Sequence, residues 1–475
     1  MWGDLERFGV LPEWLRVLDD PEAIRAAFAR EIPEFASSSL TLHDARLERS
    51  RNKKGIWHAY YRVTAGPRDE EPTEYSLHGV LYPPGSDGLG DVSPGGTFGT
   101  VGWRGTLPDL GVALEMDFPD DELPSFALLT DPVQARAILE RGMREHSPYR
   151  DIEIKACRPK VVRYKAGSRS TILYNFDYDE SKRDPAWPNM VAVKTYYAHK
   201  GLHAWNSMRA LWDSDLRDSD DVTIAEPLAF MPEMNVLIQG PVREDYSIND
   251  ILIRALQSTD DTAMEQLRVD LRATARGLAA FHRSGVMYGE EVTWKEQIEE
   301  VRDIVGRVAN AVPGIGEAPE PMLGRLEQLA EAHPAQPPLP CHRSFRPPQV
   351  LVHDGEVGFI DFDGFSHAEP ALDVALFRAT FKYSGLGEAL PHGRDDLDSR
   401  DALGDRLAEL EQLCDLFLDE YEKHAEISRE RVALWETLYI FDYVLRCWTK
   451  VRPARIQGSM LMLDRHLRDR MEKLV

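Results

Sequence analysis

The residues from Cys341 to Ala375, CHRSFRPPQVLVHDGEVGFIDFDGFSHAEPALDVA, constrain the fold more than any other stretch. They read as a short loop from His342 to Gln349, an apolar strand over Val350 to Val352, a turn at Asp354-Gly355 and a second strand over Val357 to Ile360. Apolar runs on both sides of an Asp-Gly pair mark a β-hairpin. The second strand ends in Asp361-Phe362-Asp363, and the proline-rich run Pro334 to Pro340 delivers the chain to the loop in extended form.

In a phosphoryl-transfer site of the kinase type, the loop before such a hairpin carries the acid that accepts the substrate hydroxyl's proton. An amide five residues later helps to hold magnesium, and an acid after the second strand holds the metal that bridges the ATP phosphates. The spacing from Ser344 to Gln349 is that of H-R-D-L-x-x-x-N, and Asp361-Phe362 stands where D-F-G begins. By these residues the chain resembles the aminoglycoside phosphotransferase and choline-kinase-like family. Its members read H-G-D or H-R-D, then P-x-N/Q-V-L-V, then I-D-F-D and G-D-P-A-x-D-L. Ser344 is the departure, because it stands where the family has its catalytic aspartate.

The resemblance extends upstream. Val191 to Lys194 is similar to the V-A-I-K strand, whose lysine grips the α- and β-phosphates. Before it, two strands flank a turn at Gly167, which the resemblance places over ATP, although no G-x-G-x-x-G is present. A helix expected over Leu202 to Trp212 takes the place of the helix whose acid pairs with the strand lysine, yet it contains no acid. Asp213, Asp215 and Glu226 lie beyond it. Glu226 to Phe230 and Asn235 to Pro241 resemble the segment that leads to the adenine hinge, which makes Gln239 and Gly240 hinge candidates. Ala275 to His282 resembles the L-A-x-L-H helix, with His282 expected as a packed core histidine, and Asp373 matches a structural aspartate that caps a helix or tethers a loop.

The fold expected is α+β: a protein-kinase-like bilobal fold with a β-rich N-lobe over residues 151–240, a helical C-lobe over 241–475 and an N-terminal accessory α/β region over 1–150. Residues 1–33 read as helical, with Asp20 capping and Pro21 at the first helical position, and Leu40 to Tyr82 reads as strands. Laid over the 161–196 block, this region sets Val80 opposite Lys194: either it is a partial N-lobe-like repeat without a phosphate-binding lysine, or the two blocks are generic β-hairpins that look alike at this level of resemblance.

A formal net charge of −24 and no basic stripe with interleaved aromatics argue against a nucleic-acid partner. No apolar run reaches the ~20 residues of a membrane span. Four scattered cysteines suggest a reducing compartment, and the expectation is a soluble cytoplasmic protein.

For function, the resemblance implies ATP and Mg2+ as ligands, with Lys194, Gly167, Gln239 and Gly240 on the nucleotide and Gln349 and Asp361 on the metal. A serine cannot accept a proton near neutral pH as a carboxylate does, and losing a general base costs about 10²- to 10⁴-fold. One reading is therefore a degenerate, ATP-binding phosphotransferase with a binding or regulatory role and a protein partner. The other is an active kinase acting on a hydroxyl of a small molecule or peptide, with Asp363 replacing the base.

Overall fold

A computed structural model describes residues 2–116, 123–165, 168–197, 200–258, 261–388 and 398–474. Contacts group into two compact units, each assembled from segments distant in sequence: 1–119 with 294–333 and 437–475, and 120–293 with 334–436. This grouping differs from a contiguous division at 150 and 240. The helix Pro132–His146, capped by Asp131, belongs to the second unit because Leu139 and Met143 share a core with Ile172, Val193, Leu228 and Ile238.

The first unit is built on an antiparallel sheet of β1 (Thr41–Lys53), β2 (Ile56–Gly66), β3 (Thr73–Leu81), β4 (Arg104–Leu107) and β5 (Val112–Met116), in the order β1-β2-β3-β5-β4. The expected N-terminal helix is broken into short pieces before Pro21–Glu31, where Asp20 accepts from the backbone of Glu22 and Ala23. Trp57 on β2 is fully buried, and its Nε1 donates to the carbonyl of Trp448 at 2.9 Å. Trp448 Nε1 in turn donates to the carbonyl of Phe8 at 3.0 Å, so the start, the sheet and the end of the chain meet in one core.

In the second unit, β6 (Ala156–Lys165), β7 (Arg169–Asp177) and β8 (Met190–Tyr196) precede the helix Lys200–Trp212. Then come β9 (Thr223–Ile224), β10 (Pro227–Met231) and β11 (Val236–Gln239), and the sheet runs β6-β7-β8-β11-β10. The strand order is that of the first unit's sheet, and the register agrees as well. Val80 faces His58 and Ala113, the third residue of β2 and the second of β5. Lys194 faces Thr171 and Leu237, the third residue of β7 and the second of β11.

The remainder of the second unit is mainly helical. After β12 (Tyr246–Ser247) come helices Ile248–Gln257 and Asp261–His282, and after β13 (Leu339–Cys341) comes the hairpin of β14 (Val350–His353) and β15 (Glu356–Phe359). Asp354 and Gly355 turn it with φ of 50° and 82°, the left-handed pair that a two-residue hairpin loop requires. β16 (Ser366–Ala368) and the helices Ala371–Glu388 and Asp398–Tyr421 follow. A five-stranded sheet lobe followed by a helical lobe carrying this hairpin is the α+β, protein-kinase-like plan.

Candidate active site

The hairpin, β7 and β8 bring one set of charges together. Lys194 ends the apolar part of β8 and is buried, and its Nζ donates to Asp361 Oδ1 at 2.7 Å and to Asp363 Oδ1 at 3.0 Å. Tyr196, two residues on and so on the same face of the strand, donates its hydroxyl to Asp363 Oδ1 at 2.8 Å. Arg169 opens β7 directly across from Tyr196, and its guanidinium reaches Asp363 at 2.5 Å and Asp361 at 3.4 Å. Two cations thus face two carboxylates in a largely buried cluster. Burial alone would raise the Asp361 carboxyl, but Lys194 and Arg169 outweigh it and hold that group far below the usual carboxylate range. Burial would lower the Lys194 ammonium, and Asp363 and Asp361 reverse that, so its pKa rises.

Asp361 takes a left-handed backbone conformation, φ 74°, uncommon for a residue with a side chain. Its predecessor fixes it, since Ile360 donates its N–H to the Gln349 carbonyl at 3.1 Å and accepts from His342 Nε2 at 2.9 Å. Gln349 Nε2 donates to Asp361 Oδ2 at 3.1 Å, while Gln349 Oε1 is buried without a hydrogen-bond partner. A buried amide oxygen left unpaired beside an ionised carboxylate is the donor chemistry that a hard divalent cation takes. Asp361 and Gln349 therefore fit a magnesium ion.

Ser344 is part-exposed, with its Oγ 3.1 Å from His342 Nδ1 and 3.3 Å from the Asp361 carbonyl. Asp373, fully buried, accepts from the backbone N–H groups of His342 and Arg343, and so tethers the loop, with Arg343 at φ 61°. His282 is a fully buried core histidine between Tyr421 and Asp373. With Cys341 these two form a compact buried group, but Asp373 and His282 are already hydrogen-bonded to protein.

Other expected residues lie around this cluster or outside it. Gln239 is buried at the end of β11, paired with Ala192, and the N–H of Gly240 is taken by the Glu226 carbonyl at 2.8 Å. Gly167 lies outside the described residues. The helix Lys200–Trp212 supplies no acid to Lys194; its His203 Nε2 instead donates to the Phe365 carbonyl at 3.0 Å. Glu226 accepts from the Tyr149 hydroxyl at 3.3 Å. Sequence reasoning missed Arg169, Tyr196 and His342. The strand alternation from Lys194 to Tyr196, and Arg169 at the far side of the same glycine turn, were the available signals.

The sequence profile of the phosphotransferase enzyme family matches residues 252–410, the segment that contains the catalytic-type loop, the hairpin and Asp361. Over this segment the chain is similar to the phosphotransferase enzyme family. No curated protein matches the chain. Among solved structures it is similar to a glucosamine kinase (crystal form A), at 14% identity and a TM-score of 0.49, over 98% of this chain and 100% of that one. A choline kinase from Cryptosporidium parvum aligns at 11% identity and a TM-score of 0.44, over 71% of this chain and 95% of that one. A choline/ethanolamine kinase family protein from Mesorhizobium loti aligns at 12% and 0.40, over 65% and 91%. Among the described residues, no helix is long and apolar enough to cross a membrane.

Proposed function

We propose that the second unit binds Mg·ATP and that, with Ser344 in place of the family's aspartate, it transfers phosphate to a hydroxyl slowly, as a degenerate phosphotransferase with a binding or regulatory role. The convergence of Lys194, Asp361 and Gln349 on one cluster carries this reading. Lys194 would hold the α- and β-phosphates, with Gln239 and Gly240 near the adenine and Asp361 and Gln349 on the metal. A divalent cation held there supplies charge neutralisation to the phosphate oxygens. Arg169, 25% exposed, is placed to move from Asp363 to a phosphate oxygen.

Active transfer with Asp363 as the base is the weaker reading. Both oxygens of Asp363 are engaged, one by Lys194 and Tyr196 and the other by Arg169. An acid so occupied is poorly placed to take a proton from an acceptor.

The first unit is proposed to be a partial N-lobe-like repeat that lacks the phosphate-binding lysine, on the strength of its shared strand order and of Val80 at the register position of Lys194. The four cysteines are free and buried, which suits a reducing, cytoplasmic setting.

A thermal-shift titration tests the central reading. Mg·ATP at one hundred times its dissociation constant should stabilise the protein by about 2.7 kcal/mol. Lys194→Ala should remove most of that shift, and a melting curve unmoved by millimolar Mg·ATP would leave only the scaffold.

A further inference from the structure

We propose that Ser344 and His342 form a proton relay that takes over the task of the missing carboxylate, so that the site retains slow phosphoryl transfer. The inference rests on the reading above, that the cluster presents a nucleotide to an acceptor hydroxyl.

Hydrogen-bond direction carries it. His342 Nε2 lies 2.9 Å from the Ile360 carbonyl oxygen, and a carbonyl can only accept, so the proton sits on Nε2. His342 Nδ1 then presents its lone pair, and the Ser344 hydroxyl, 3.1 Å away, is its donor. The Asp361 carbonyl is the more distant alternative for that hydroxyl, at 3.3 Å. Packing holds the arrangement: His342 is fully buried, with its ring centroid 4.9 Å from that of Phe362 and 5.7 Å from that of Phe345. Its backbone N–H is fixed by Asp373. Ser344, by contrast, keeps part of its surface open at the position where the family's acid meets the acceptor.

In the step proposed, the acceptor oxygen bonds to the γ-phosphorus of a nucleoside triphosphate as the bond from that phosphorus to the β–γ bridging oxygen breaks, and the nucleoside diphosphate leaves. The acceptor's proton passes to Ser344 Oγ while Ser344's own proton passes to His342 Nδ1. The ring holds both protons until product leaves and one returns to solvent. Ser344 would touch the acceptor; His342 is a positioning and proton-accepting residue behind it.

The probe is Mg·ATP hydrolysis with water as acceptor, read alongside the Mg·ATP thermal shift. Ser344→Ala and His342→Gln are each expected to lower kcat by about 10²-fold, the scale of a lost general base, and the double variant should fall no further than either. Ser344→Thr, which keeps the hydroxyl, should recover most of the loss. In a Ser344→Asp background the carboxylate bypasses the ring, so adding His342→Gln should change kcat by less than about threefold. An equal loss in both backgrounds would mean that His342 only supports the loop, and would overturn the relay. Should His342→Gln not fold, the Ala and Thr variants at 344 decide alone: equal kcat in the two overturns it. Absence of turnover in the unmutated protein, with the Mg·ATP shift intact, sinks the relay and spares nucleotide binding. Absence of the shift itself removes the reading on which the relay rests.

Discussion

Lys194 Nζ lies 3.0 Å from Oδ1 of Asp363, so the strand lysine is anchored by the segment after the hairpin and not by the helix Lys200–Trp212, which has no acid to offer. The same carboxylate orders Tyr196 and Arg169. Asp363→Ala should therefore act on binding. The Mg·ATP dissociation constant, measured by calorimetry, is expected to rise about tenfold or more, with a stability loss below the about 3–5 kcal/mol of a fully orphaned buried charge, because Asp361 stays 2.7 Å from the ammonium. Unchanged affinity with abolished turnover would instead restore Asp363 as the base.

Acid should weaken the same cluster. Although burial favours its neutral form, Asp361 is held well below the ordinary carboxylate range by Lys194 and Arg169. The folded state then binds fewer protons than the unfolded chain as pH falls. Its stabilisation is fully present above the unfolded carboxylate value, about 4, and is lost progressively below it. Asp361→Asn should lower the melting temperature at pH 7, and the gap to the unmutated protein should narrow below pH ~4. A gap that stays constant from pH 7 to 3 would remove the ion pair from the account.

What could be read from the chain was local. The Asp354-Gly355 turn needs two left-handed residues in succession, which this dipeptide tolerates, and Asp20-Pro21 and Asp131-Pro132 are start signals whose cap hydrogen bonds lie within three residues. The spacing from Ser344 to Gln349 and on to Asp361 brought the amide of Gln349 beside the carboxylate of Asp361 for the same reason, since a short hairpin leaves its ends little freedom. For Arg169 the sequence offered only its place beyond the glycine turn, because its role depends on β7 and β8 being in the register that sets it across from Tyr196. The make-up of the first unit was not legible. The hydrogen bond from Trp57 to Trp448 joins positions 391 residues apart, and no local pattern encodes such a pairing. The tautomer of His342 is likewise set by a carbonyl 18 residues away.

Asp373 offers a test of how the catalytic-type loop is held. Its carboxylate accepts the backbone N–H of Arg343 at 2.8 Å and that of His342, and it is fully buried. Removing it leaves two backbone donors without their acceptor, and each unsatisfied buried group costs about 1–3 kcal/mol. Asp373→Ala should therefore destabilise the protein by more than Asp373→Asn, whose amide oxygen can still accept one of the two. Denaturant midpoints compare them directly, and equal midpoints for the two variants would show that the loop does not depend on these bonds.

In the first unit, the chain of bonds from His58 to His78 to Glu115 sets a separate expectation. His78 Nδ1 lies 2.9 Å from Glu115 Oε1, an acceptor, so it donates there, and His78 Nε2 lies 2.9 Å from His58 Nδ1. Burial, assisted by the charges of His78, Arg51 and Lys53, pushes His58 down to about 4. An unfolded histidine titrates near 6.5, so between about 6.5 and 4 the unfolded chain takes up a proton that the folded protein refuses, and stability falls as the pH falls through that window. Imidazole resonances followed by NMR should place the His58 midpoint near 4, and His78→Ala should move it upward by removing a neighbouring positive charge. His58→Gln should also flatten the decline in melting temperature between pH 6.5 and 4.5. A His58 midpoint between 6 and 7 in the unmutated protein would show that the ring is solvated and that this bonded chain is not maintained in solution.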